Sequence, residues 1–247
     1  MNPDPHCSGY CRDCDQVHSL PQGNSRAHAL EVMEEFRTLR RLDYTRSDAD
    51  ADPKLSFDYL FAENRGHMFG VLECEDASGN QVFLRAFSSL RDGVRHIDGW
   101  VRPILDNRIW TEEVLPVQTT IKQLTKQIHA RHPESRRLRD ERRNISQVLM
   151  SRLQDALVFT NFRGQRRHLR DAFIGSDTPP GGAGDCCGPR LLNHAAIHGL
   201  KPLGLSEFYW GAPTPNGQRV EGEFYPCCKE KCQPILGFML CGIDELS

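Results

Sequence analysis

The cysteines of this chain fall into groups whose spacing suits a metal ion. One group lies in Gly184-Asp185-Cys186-Cys187-Gly188-Pro189 and another in Pro226-Cys227-Cys228-Lys229-Glu230-Lys231-Cys232. Each reads as a loop turning into a helix, and an apolar run predicted as a strand, Pro202 to Trp210, separates them. Thiolates offered from helix N-termini suit Zn²⁺, because helix-end amides and the metal both lower thiol pKa. Cys186, Cys228 and Cys232 would then hold an ion with one open position for water, which is the arrangement of a catalytic site. If Cys187 or Cys227 closes the tetrahedron, the ion is structural; the spacing leaves both forms open.

A further group opens the sequence, at Cys7, Cys11, Cys14 and His18. Cys11-x-x-Cys14 makes a compact turn that offers two sulfurs to one ion, and Cys7 and His18 are within reach to complete it as a zinc knuckle. The three-cysteine spacing also occurs in radical SAM enzymes, where it holds a 4Fe–4S cluster, and free thiols are the remaining alternative. Cys74 and Cys241 stand alone and read as buried apolar thiols. Two zinc ions are therefore expected.

The chain has 247 residues, 38% of them hydrophobic, and a formal charge of −2. That supports a packed core and excludes a global field that would demand an anionic partner. The polar, proline-broken start, Met1 to His6, has no apolar leader, and no apolar run reaches about 18 residues, so a cytoplasmic protein without membrane association is expected. Ten cysteines in such a setting argue for metal ligation over a disulfide framework.

These groups must be positioned by a mixed α/β (α+β) fold. A helical period of apolar residues runs from Ser25 to Leu42, followed by an acidic solvated loop, Asp43 to Asp52. His67 to Cys74 and Gln81 to Ser88 predict a hairpin, and Trp100, Pro103 and Trp110 are placed in irregular chain. From Ile121 to Ala156 the pattern is helical in two pieces broken near His132-Pro133, and Leu157 to Asn161 and His168 to Ile174 predict a second hairpin. Three segments follow: a knuckle-like 1–24, an α/β region 25–120 and a zinc domain 121–247. Arg136, Arg137, Arg142 and Arg143 on the basic helix, with Arg163, Arg166 and Arg167 in the hairpin turn beside Phe162, form a combination suited to RNA phosphates and bases.

From about residue 140 the predicted order is helix, hairpin, helix opening on Cys186, strand, helix opening on the Cys227–Cys232 group. This order, with the partial motif Pro226-Cys227, resembles the zinc-dependent cytidine deaminase-like superfamily. The resemblance implies an α-β-β-α-β-α core, zinc ligands at two helix starts, and a glutamate two residues after the first ligand that shuttles a proton. Here that position is Gly188, so Asp185 or Glu207 is the candidate catalytic carboxylate. The runs Gly66 to Leu72, Pro180 to Cys186, Pro189 to Leu192, Ser206 to Gly211 and Phe224 to Leu236 resemble an uncharacterised region found ahead of the catalytic domain in some RluA-type pseudouridine synthases. That implies work on RNA beside such an enzyme, while the Gly-Arg-Leu-Asp type motif of the synthase itself is missing.

The expected function is thus a zinc protein acting on RNA, as a base deaminase or as a non-catalytic, zinc-stapled RNA-binding accessory module. His194 and His198 read as a solvent-facing pair and Gly181 to Gly184 as a positioning loop. No Gly-x-Ser-x-Gly supports a serine hydrolase.

Overall fold

The computed structural model describes residues 7–62, 65–88, 94, 96–130, 134–175 and 178–246. The expected helix break at His132-Pro133 and the polar start lie outside the described residues.

The fold is α+β and its centre is an antiparallel sheet of order β4-β3-β7, built from β3 (His67–Glu75), β4 (Gln81–Phe87) and β7 (Lys201–Trp210). Alternation along the strands gives the sheet two apolar faces. Phe69 and Val71 of β3, with Phe208 and Trp210 of β7, meet α1 (Ser25–Leu39), whose Ala29, Val32, Met33 and Phe36 repeat at helical spacing. Leu72, Cys74 and Leu205 point the other way, onto α6 (Cys187–Ile197) and α7 (Gln233–Met239). The sheet therefore lies between α1 on one face and α6 with α7 on the other.

Ahead of α1 a small hairpin, β1 (Cys7–Cys11) with β2 (Gln16–Leu20), carries the first cysteine group. It packs on α7 across two glycines: an added Cβ on Gly9 would lie 2.3 Å from the Gly237 nitrogen, so only glycine lets the backbones cross there. Between β4 and α6 runs a long excursion. A short helix α2 (Asn107–Ile109) passes through a π-helical turn, Trp110–Val114, into α3 (Leu115–His129), which pairs with α4 (Ser135–Ala156) through Leu124, Ile128, Leu138 and Ile145. Trp110, expected in irregular chain, is thus helical.

The second hairpin differs from expectation. β5 (Val158–Thr160) and β6 (Arg166–His168) form a separate two-stranded sheet, and the chain then turns into a helical turn α5 (Leu169–Ala172) instead of extending to Ile174. Leu169, Ala172 and Phe173 are buried at i, i+3, i+4, a helical spacing that a strand could not bury on one face. The sheet beneath α6 comes from the earlier hairpin, residues 67–87. Strand β3 of the expected 25–120 segment pairs with β7 of the expected 121–247 segment, and β1 packs on α7, so packed contacts cross both of the expected boundaries. No described helix is long and apolar enough to cross a membrane.

Candidate metal centre and reaction cleft

Cys186 is the N-cap residue of α6, and Cys228 and Cys232 lie in the turn that enters α7. The carbonyl of Cys228 accepts hydrogen bonds from the N–H groups of Cys232 (3.2 Å) and Gln233 (3.0 Å). That helix-like turn stacks residues i and i+4, so a four-residue step does the work of the tighter Cys-x-x-Cys and leaves the Cys228 and Cys232 sulfurs 3.3 Å apart. The sulfurs of Cys186, Cys228 and Cys232 all lie within 4.8 Å of one another. Tetrahedral zinc with Zn–S bonds of about 2.3 Å places ligand sulfurs at about 3.8 Å, so the group fits the ion.

The three thiols shift one another's ionisation. The neighbouring Cys186 and Cys232 sulfurs, with backbone N–H groups of Lys231 and Cys232, hold Cys228 far below its ordinary pKa. Cys186, bonded to Cys228, is pushed up to about 12, and Cys232 is raised by the same two neighbours.

The two cysteines left open as a fourth ligand lie elsewhere. Cys187 is fully buried with its thiol 3.3 Å from the carbonyl oxygen of Met68, and Cys227 meets Cys7 and Glu207. Among the described residues, no fourth histidine, cysteine or acidic ligand joins the three sulfurs within that distance.

Glu207 stands on β7 opposite Gly70 of β3. It is 4% exposed, and its Oε1 accepts the N–H of Gly188 at 2.9 Å. Burial raises its pKa, against the opposing pull of that N–H. Gly70 makes room here: a Cβ on it would come within 2.6 Å of the Cys187 Cβ. Glu207, Cys186, Cys228 and Cys232 line one cleft of about 570 Å³, with His67, Tyr209, Arg219 and Lys231 among its other walls. Asp185 is exposed and lines a different cavity, of about 440 Å³. Of the two candidate carboxylates, only Glu207 shares the cleft with the thiols.

The N-terminal group also differs from expectation. Cys11, Cys14 and His18 are together, and the residue that joins them is Cys241, not Cys7. Cys7 and Cys11 face the same side of β1, but four residues of strand separate them by about 13 Å, too far to share one ion. Cys7 is buried beside Cys227. Cys241 carried no signal in the sequence, because only the crossing of β1 over α7 brings it close.

The arginines divide. Arg136, Arg137 and Arg143 are exposed on α4, and Arg142 donates to the Thr125 hydroxyl at 3.3 Å. In the β5–β6 hairpin, Arg163 pairs with Glu245 and Arg167 with Asp13 (2.8 Å), which leaves Arg166 as the exposed arginine without an ion pair among the described residues. No family model matches the chain, and neither a curated protein nor a solved structure matches it.

Proposed function

We propose that the chain is a zinc-dependent deaminase of a nucleobase carried by RNA, with Cys186, Cys228 and Cys232 as ligands and Glu207 as proton shuttle. One observation carries this reading. The buried Glu207 carboxyl shares the cleft of the three thiols and is bonded to Gly188, the position at which the resembled superfamily has its glutamate. The element order α1-β3-β4-α6-β7-α7 supports it, with residues 88–186 as an insertion between β4 and α6.

A zinc ion held there supplies a Lewis acid that lowers the pKa of a coordinated water to about 7, giving a nucleophile at neutral pH. Glu207 takes the proton of the attacking water and returns it to the departing ammonia, and its raised pKa suits a group that must hold that proton between the two steps. The N–H of Gly188 fixes the carboxylate's direction. Arg219, Lys229 and Lys231 line the cleft without an ion pair among the described residues and suit the substrate's phosphates.

The zinc-loaded chain is expected to release ammonia and change a base in single-stranded or loop-containing RNA, read by sequencing. Glu207→Gln should retain zinc and lose at least about 10²-fold in rate. A fully zinc-loaded chain that converts no cytosine or adenine in such RNA rules the catalytic reading out.

The second reading, a non-catalytic zinc-stapled RNA-binding module that works beside a pseudouridine synthase, is favoured by the exposed Arg136, Arg137 and Arg143 on α4. In that case RNA binds without conversion, and the affinity falls log-linearly with salt.

A further inference from the structure

We propose that Cys11, Cys14, His18 and Cys241 hold a second zinc ion, closed to water, that fastens the N-terminal hairpin to the end of α7. The candidate ligand atoms of all four residues lie within 4.8 Å of one another. Three thiolates and an imidazole complete a tetrahedron, which is the make-up of structural zinc sites.

Three further observations point to an ion. His18 is 4% exposed, and its Nε2 is buried with no hydrogen-bond partner. A buried ring nitrogen is rarely left so, and a metal would satisfy it. The other ring nitrogen, Nδ1, lies 3.7 Å from a carboxylate oxygen of Asp244, the kind of outer partner that sets the tautomer of a ligating histidine. Arg163 donates to the Cys14 sulfur at 3.4 Å, a hydrogen bond of the kind that orients a ligating thiolate. Cys11 and Cys241 are at most 1% exposed, and four protein ligands leave a tetrahedral ion no open position, so its role is structural.

The position of Cys241 explains what the ion does. Helix α7 is seven residues long, too short to persist alone. Cys232 caps its start and Cys241 lies two residues past its end, so a metal centre would clamp each end. The same hairpin brings Cys7 against Cys227, whose thiol meets Glu207. The second ion therefore holds the wall behind the reaction cleft without contributing a ligand to it.

This inference does not depend on the reaction proposed above. The test is metal content of the full chain purified in the presence of zinc and reductant. The parent is expected to carry two zinc ions per chain. Cys14→Ser, His18→Ala and Cys241→Ser should each carry one, Cys7→Ser two, and Cys228→Ser should keep the ion at the hairpin. Because a ligand variant could fail to fold, the unmutated chain loaded with ¹¹³Cd gives a second measure. Two resonances are expected, one of them coupled to the imidazole of His18. Zinc content unchanged in Cys14→Ser, His18→Ala and Cys241→Ser, loss of an ion in Cys7→Ser with two retained in Cys241→Ser, no resonance coupled to His18, or a Cys14–Cys241 disulfide in the zinc-purified chain would each overturn the assignment, whereas a single ion that Cys228→Ser keeps and Cys241→Ser loses supports it and counts only against the cleft ion.

Discussion

Of the two candidate carboxylates that the sequence offered, Glu207 owes its place in the thiol cleft to tertiary structure. A glutamate inside an apolar strand reads as a charge out of place, and only the register of β7 against β3 puts it beside Gly70 and under Gly188. Its burial has a thermodynamic signature. The folded-state pKa lies above the ordinary carboxyl value, so the group favours the folded state below that ordinary value, and the contribution is lost as pH rises through the raised one. Glu207→Gln removes this dependence. The urea midpoint of the variant minus that of the parent should therefore move in the variant's favour between about pH 5 and pH 8. A difference that is flat over this range would mean that Glu207 ionises like an exposed glutamate.

At the scale of elements, the glycines of the sheet and of the β1–α7 crossing decide how closely the layers approach. Gly70→Ala would press a methyl against Cys187 at the start of α6, with a Leu191 methyl 3.1 Å away. The expected cost is about 1–3 kcal/mol by overpacking, read as a lower chemical-denaturation midpoint, while Gly79→Ala, in an open turn at φ +80°, loses stability through backbone strain alone. The elements themselves were largely legible. Helix α1, the β3–β4 hairpin and β7 follow from periodicity, and their observed bounds fall within a few residues of the expected ones. What periodicity could not supply was partnership. Residues 67–87 and 157–168 are both hairpins, and nothing local distinguishes the one that underlies α6 from the one that stands apart. The cysteine groups divide in the same way: Cys186, Cys228 and Cys232 could be chosen from helix-start positions, whereas Cys241 for Cys7 is a choice made by tertiary packing.

For the molecule as a whole, the β1–β2 hairpin meets α7, and both cysteine groups draw candidate ligands from the flanks of that helix. Metal-binding energy at such sites is folding energy, so metal removal should loosen first the elements that carry the ligands. The pH dependence has a definite sign. In the cleft group Cys186 and Cys232 are shifted above the ordinary thiol pKa by their sulfur neighbours, so loading an ion must displace protons and binding tightens as pH rises. Stabilisation by a ligand that binds only the folded state grows with the ratio of its concentration to its dissociation constant. The gap in melting temperature between the zinc-loaded and the chelated chain should accordingly widen from about pH 6 to pH 8, with protons released on loading. Hydrogen exchange of the chelated chain should speed up first in β1, β2 and α7, while β3 and β7, buried between α1 and α6, stay protected. Equal loss of protection across the central sheet would mean that the ions support the whole core, and a gap that narrows with rising pH would mean that the thiols do not bind the metal.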